Sequence, residues 1–61
     1  MIQVLMSPIY NLAVTCENAG DLDRAVELYE RCLAGREEGG DDDGARRTAE
    51  NLGDVLKKEG A

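Results

Sequence analysis

The sequence predicts an all-α fold in which a helical hairpin is followed by a third helix. Apolar residues recur at intervals of three and four over three separate segments, the spacing that places them on one face of a helix. Glycines interrupt the pattern between the segments. The chain of 61 residues, 43% of them apolar, is long enough for one small domain and too short for two.

The composition also predicts a thin core. The chain has no Trp or Phe and only two Tyr, so its core must be built mainly from Leu, Val, Ile and Ala. Ordering a chain costs roughly 1.5 kcal/mol per residue, which apolar burial barely offsets in so small a domain. We therefore expect stabilisation from a partner protein, a second copy or additional chain.

The first helix is predicted over residues 8–19. Ser7 can accept backbone N–H bonds at the helix start, and Pro8 suits the first helical position, where its missing N–H costs nothing. Gly20 supplies the left-handed conformation that ends a helix. The apolar face of this helix consists of Ile9, Leu12, Ala13 and Cys16.

The second helix is predicted over residues 22–34, with Asp21 or Asp23 as its cap. The connection over residues 19–21 is so short that the two helices must lie antiparallel and bury their apolar faces against each other. The apolar face of the second helix consists of Leu22, Ala25, Val26, Tyr29, Cys32 and Leu33.

Residues 35–44 are predicted to form a mobile acidic loop, because four glycines and five acidic residues leave no apolar face to bury. A third helix follows over about residues 44–59, with Asp42 or Asp43 near its positive end and Gly60 as its stop. Its apolar face consists of Ala45, Ala49, Leu52, Val55 and Leu56.

Charge and hydropathy disfavour several classes of partner. The net charge is −6 and no segment collects Lys and Arg, so the surface needed to bind nucleic acid is missing. The apolar segment Met1 to Met6 is too short to span a bilayer and lacks the features of a signal peptide, so we expect no membrane insertion. This segment could end a preceding helix, dock on a partner or cover the hairpin, and each alternative buries it.

Catalysis, cofactors and metals are not expected either. The chain has no His, and Cys16 and Cys32 lie on apolar faces with no neighbouring base. The cysteine spacing fits no zinc motif, so we expect reduced thiols in the cytoplasm or another reducing compartment. Residues 39–50 overlap part of a calcium-binding loop but lack its first carboxylate and contain an arginine pair, which makes calcium binding unfavourable.

The third helix repeats the first. An offset of 40 aligns Asn11-Leu12-Ala13 with Asn51-Leu52-Gly53, and Gly20 with Gly60. A helical hairpin repeated at this period is typical of a solenoid.

The residues that carry the repeat resemble the tetratricopeptide repeat family. They comprise the Asn-Leu-Ala of the first helix, the Gly20-Asp21 turn, and the run from Ala25 through Tyr29 to Leu33. The resemblance covers one repeat over residues 7–34 and the first helix of a second over 45–60. The offset exceeds the usual 34 residues, which makes the chain more similar to the kinesin-light-chain type of repeat.

The resemblance implies a protein-binding or scaffold function. Small side chains at Ala13 and Ala25 would let the hairpin helices approach closely, and Gly53 would do the same in the second copy. Alternatives are a structural subunit of a large assembly and a repeat fragment that dimerises by exchanging helices. The implied apolar stacking face consists of Tyr29, Leu33, Leu52, Val55 and Leu56.

Relatives of this kind bind a partner in a groove lined by the first helices of successive repeats. Asn11 and Asn51 could bond the backbone of a bound peptide or be merely structural, and Lys57 and Lys58 could clamp an acidic segment. The implied groove residues are Tyr10, Asn11, Val14, Glu17, Asn18, Glu50, Asn51, Asp54, Lys57 and Lys58.

Overall fold

A computed structural model describes the backbone of residues 2–60 and the side chains of residues 8–60. Three α-helices make up this part of the chain: α1 (Ile2–Asn18), α2 (Leu22–Glu38) and α3 (Asp42–Gly60). The predicted all-α fold of a hairpin plus a third helix is confirmed. None of the helices in residues 2–60 combines the length and the apolar composition needed to cross a bilayer.

Helix α1 begins earlier than predicted. It starts at Ile2 and contains Pro8, so the prediction of a helix start at Pro8 with Ser7 as its cap is wrong. The helix continues through Pro8, although this residue cannot donate the backbone bond that other residues of a helix interior make. The predicted burial of the segment Met1 to Met6 lies outside the side chains that the structure describes.

The turn between α1 and α2 follows the prediction at Gly20. This glycine has a φ of +83°, and its N–H bonds Glu17 O at 3.0 Å while the Asp21 N–H bonds Cys16 O at 2.9 Å. This pair of bonds is the Schellman arrangement that ends many helices. Asp21 occupies the N-cap position of α2 without a side-chain cap bond, and pairs with Arg24 at 3.6 Å.

The prediction of a mobile loop over residues 35–44 is wrong. Helix α2 continues to Glu38 and α3 begins at Asp42, so only residues 39–41 connect them. Gly40 has a φ of +77°, and the bonds of the first turn recur: Gly40 N–H to Glu37 O at 3.2 Å and Asp41 N–H to Arg36 O at 2.9 Å. The repeat exceeds 34 residues because its helices are long, and no long loop contributes to it.

Helix α3 is capped one residue before the predicted positions. The Gly44 N–H donates to Asp41 Oδ1 at 3.1 Å, which makes Asp41 the N-cap. Asp42 and Asp43 lie in the first turn, where their carboxylates favour the positive end of the helix dipole. At the other end the helix includes Gly60 rather than stopping before it.

The core lies where α2 packs against both α1 and α3. Ala13 and Ala25 are fully buried, which agrees with the predicted close approach of the hairpin helices. Gly53 does not repeat this role, because a Cβ placed there would meet nothing within 4 Å. The buried hydrophobic residues that form the core are Ala13, Cys16, Ala25, Tyr29, Cys32 and Val55, and Thr48 is a buried polar residue.

Three predicted core residues lie at the surface instead. Leu12 is 51% exposed, Leu56 is 49% exposed and Ala49 is exposed as well. Helix α2 covers one side of α1 and one side of α3, and these three residues point away from it. Periodicity identifies a helix face that can be buried, but a neighbouring element must be present to bury it.

Candidate partner-binding groove

Helices α1 and α3 lie side by side and are joined by two polar pairs. Asn51 Nδ2 donates a hydrogen bond to the Tyr10 hydroxyl, and Lys58 Nζ lies 2.7 Å from Glu17 Oε2. Both pairs join residues 41 positions apart, so the two helices run in the same direction. We call these pairs, which bring four of the predicted groove residues together, the groove floor.

Glu17 accepts hydrogen bonds from two different side chains. Its Oε1 accepts a hydrogen bond from the Tyr29 hydroxyl at 2.8 Å, while its Oε2 accepts one from Lys58. The Lys58 ammonium lowers the pKa of the Glu17 carboxyl, with help from Tyr29 and against the opposing effect of burial. Burial and the neighbouring Glu17 raise the pKa of the Tyr29 phenol. Glu17 is therefore a charged acceptor and Tyr29 a neutral donor.

Tyr10 belongs to a second cluster of side chains, which includes Tyr29 and Arg36. Its ring meets the Tyr29 ring edge-on, with centroids 5.9 Å apart, and the Arg36 guanidinium lies 4.9 Å from its centroid. Arg36 Nη1 donates to Gly44 O at 3.0 Å and to Thr48 Oγ1 at 3.2 Å. A single side chain thus joins α2 to both α1 and α3.

Sequence reasoning missed the role of Arg36, because it placed this residue in the predicted loop. One signal could have found it. The Gly-Asp pair at residues 40–41 recurs twenty residues after the pair at 20–21. That recurrence predicts a second turn at Gly40 and a helix that continues up to it. Arg36 then lies four residues before the turn glycine, the position that the buried Cys16 has before Gly20.

The other predicted groove residues remain accessible. Val14 is half-buried and packs against the core. The remaining five are exposed, and their side chains form no hydrogen bond or ion pair within residues 8–60; they are Asn11, Asn18, Glu50, Asp54 and Lys57. Of the two lysines predicted to clamp an acidic segment, Lys58 is engaged with Glu17, which leaves only Lys57 unengaged.

The predicted apolar stacking face divides into two parts. Tyr29 and Val55 are fully buried in one cluster, and Leu52 packs against it. Leu33 is half-buried outside that cluster. Leu56 is the exception, since it is 49% exposed and is not among the residues that pack against this cluster.

The segment that overlaps a calcium-binding loop serves a different purpose. Asp41 caps α3 through the Gly44 N–H, and residues 42–50 are helical, so they cannot wrap around an ion. Among residues 2–60 we find no group of three or more His, Cys, Asp or Glu side chains placed to hold a metal. Both cysteines are buried.

Comparison with known proteins gives one match. The family model described as tetratricopeptide repeat matches residues 5–61, nearly the whole chain, which agrees with about one and a half repeats. No curated protein matches the chain at a significant level, and no solved structure does so either.

Proposed function

Because the chain belongs to the tetratricopeptide repeat family, whose members generally mediate protein–protein interactions, we propose that its α1 and α3 form a groove for a segment of a partner protein. Repeats of this family are generally non-catalytic. The bound segment lies along the groove floor and is held by side chains of both helices.

The observation that supports this proposal is the contrast between engaged and unengaged polar groups. The floor is organised in advance by the pairs Tyr10–Asn51 and Glu17–Lys58. Next to it stand five exposed polar side chains with no partner in the described part of the chain. Polar groups held on rigid helices bind with less loss of conformational entropy than groups on mobile loops.

The chemistry of these five side chains indicates the kind of segment that fits. An asparagine amide both donates and accepts hydrogen bonds, so Asn11 and Asn18 suit the backbone of a peptide. Glu50 and Asp54 attract a basic side chain, and Lys57 attracts an acidic one. The net charge of −6 additionally speeds the approach of a basic partner.

A groove experiment tests the proposal directly. The partner is captured by a photo-crosslinking amino acid at Asn18, and its affinity for the isolated chain is measured by calorimetry. We expect Asn11→Ala combined with Asp54→Arg to weaken binding about tenfold or more, since hydrogen bonds and a charge contact are lost together.

The matched control is Glu30→Lys, on an exposed position of α2. It changes charge by the same amount as Asp54→Arg, and we expect it to leave the affinity unchanged. Loss of binding in the control with full binding in the groove variant would refute the groove as the binding site.

A structural subunit without an exchangeable ligand is the second candidate. It is favoured by Leu12 and Leu56, two large apolar side chains about half exposed on different helices. In that case the captured protein would copurify stoichiometrically and would not exchange with added free chain. Measurable exchange would favour the groove.

A further inference from the structure

We propose that the Glu17 carboxylate binds a basic side chain of the partner segment, and that Lys58 occupies this position until the partner displaces it. This anchor rests on the proposed groove function and specifies the chemistry of the segment that the groove binds. The two members of the Glu17–Lys58 pair differ in how firmly the fold holds them, and this difference supports the displacement.

The fold holds the Glu17 side chain from the core side. Only 15% of this side chain is exposed, and its Oε1 accepts a hydrogen bond at 2.8 Å from the hydroxyl of Tyr29, a fully buried residue. A tyrosine packed in a core has a fixed hydroxyl position, so the bond fixes the carboxylate as well. Glu17 is therefore a carboxylate of defined orientation in the groove floor.

Lys58 holds the same carboxylate from the solvent side and is itself loosely held. Its side chain is 54% exposed, and the contact with Glu17 Oε2 at 2.7 Å is its only polar contact within residues 8–60. An exposed ion pair contributes little to stability, because water solvates the ammonium well and a long side chain must be ordered to form the pair. Another cation can therefore replace Lys58 at small cost.

A segment that follows the groove meets this pair. Lys58 extends from α3 to Glu17 on α1, so its side chain bridges the two helices that line the groove. A segment that packs on the floor at this point must displace the ammonium or bury the ion pair. Burial removes water from both charges, and displacement removes the counter-ion of Glu17. Displacement is favourable when the segment supplies a cation of its own.

Charge selects the class of side chain that takes this position. Lys58, with help from Tyr29, lowers the pKa of the Glu17 carboxyl against the effect of burial, so the group is ionised at neutral pH. A basic side chain restores the charge pairing when it replaces Lys58, whereas a neutral one leaves a partly buried carboxylate without a counter-ion. An acidic side chain near Lys58 would be repelled by the same carboxylate.

A nuclear magnetic resonance titration of the whole chain tests the anchor with two small probes. The first is N-acetyl-arginine methylamide, and the second is the citrulline analogue, which has nearly the same shape and no charge. We expect only the arginine probe to shift the signals of the Glu17 carboxyl carbon and the Tyr29 ring. Lys58→Met removes the ammonium and should bind this probe about threefold more tightly, and Glu17→Gln should abolish the difference between the probes.

The matched control is Arg31→Met, which removes the same charge from an exposed position of α2. Arg31 lies two residues after Tyr29 and hence on the other side of that helix, so we expect its replacement to leave the affinity unchanged. Equal affinity for the two probes, or shifts centred on Glu50 and Asp54, would overturn the anchor. An equal gain in the control would overturn it too, because net charge would then control binding.

The captured partner separates the anchor from the groove itself. Loss of partner affinity in Asn11→Ala with Asp54→Arg, but not in Glu17→Gln, would support the groove and overturn the anchor. Selective binding of the arginine probe at Glu17, with a partner that is insensitive to the groove variant, would refute the groove and support the cation site. Loss of partner affinity in both variants is the result expected if both proposals hold.

Discussion

The two interhelical turns have the same backbone geometry but are stabilised by different side-chain contacts. Gly20 and Gly40 have φ values of +83° and +77°, and each turn is closed by the same pair of backbone bonds. Around the first turn, Asp21 forms an exposed pair with Arg24 at 3.6 Å, and the side chain of Glu17, three residues before Gly20, accepts hydrogen bonds from Tyr29 and Lys58. Around the second, Asp41 caps the next helix and Arg36 forms a partly buried network with Gly44 and Thr48.

The two ends of the molecule therefore depend on different chemistry. The first turn lies at the end where Glu17 holds Lys58 and Tyr29. The second lies at the end where Arg36 holds Gly44 and Thr48. A carboxylate titrates in mild acid, whereas a guanidinium does not. The same turn geometry is thus accompanied by a network centred on a carboxylate at one end and by a network centred on a guanidinium at the other.

The largest difference in unfolding free energy between the two ends is expected when the arginine next to each turn is replaced. Arg36→Ala removes two hydrogen bonds and the contact with the Tyr10 ring, so we expect a loss of about 2–3 kcal/mol of unfolding free energy. Arg24→Ala, the matched control, breaks only an exposed ion pair and should cost less than about 0.5 kcal/mol. Urea denaturation measures both, and equal losses would contradict the comparison.

Two alanine substitutions in α3 should have opposite signs. A Cβ at Gly44 would lie 2.7 Å from Asp41 Cγ and 2.9 Å from Arg36 Cδ, so Gly44→Ala displaces the cap and the arginine. We expect a net loss of about 1 kcal/mol, because the lost cap and disturbed network exceed the gain in helix propensity.

Gly53→Ala is the control, since nothing surrounds that position. It should stabilise the chain by up to about 1 kcal/mol. Thermal unfolding measures both variants. A stabilising Gly44→Ala would show that the second turn is not fastened by close packing.

Acid should weaken the interactions of Glu17 at the first end. The folded-state pKa of Glu17 is lowered, so its contribution to stability is present above the unfolded pKa of about 4.3 and is lost as pH falls through the folded value. Glu17→Gln should remove this part of the pH dependence and cost at most about 1 kcal/mol at neutral pH. Denaturation midpoints from pH 7 to pH 3 measure the effect. An unchanged pH profile in the variant would mean that Glu17 is not responsible.

The smallest effect is expected at a like-charge contact at the same end. A side-chain hydrogen bond shared with Asp23, followed by burial and by the negative charge of Asp23, raises the pKa of the Glu59 carboxyl. The hydrogen bond needs one of the two groups to be protonated, so the contact becomes unfavourable when both are ionised, as pH rises through the folded pKa. Glu59→Gln should therefore raise the unfolding temperature slightly at pH 7 and leave it unchanged at low pH. Glu38→Gln, at the other end, serves as the control. A lower unfolding temperature at pH 7 would contradict the proposed repulsion.

The predictions from sequence succeeded where a local signal was sufficient. Gly20 identified the first turn, and the helical period of α2 identified Ala25, Tyr29 and Cys32 as buried. They failed over residues 35–44, because glycine and acidic content was interpreted as flexibility. In the structure Gly40 makes a turn, and Gly44 allows Asp41 to approach.

The candidate groove was only partly predictable. The resemblance to a repeat family pointed to Tyr10, Glu17, Asn51 and Lys58 as residues of one surface, and these four do pair between α1 and α3. Nothing local could show that they bind each other, since each pair spans 41 positions. The contact of Arg36 with the Tyr10 ring could not be predicted either, because it requires α2 to continue to the second turn.

The sequence by itself determined the number of helices, the first turn and the residues able to face a core, because periodicity and glycine conformation act over a few residues. Only the tertiary structure decided which of those faces is covered. Cys16 and Leu56 occupy equivalent positions in the repeat, yet one is buried by α2 and the other is about half exposed. Burial requires a neighbouring helix, and that neighbour is a property of the assembled fold and not of the residue itself.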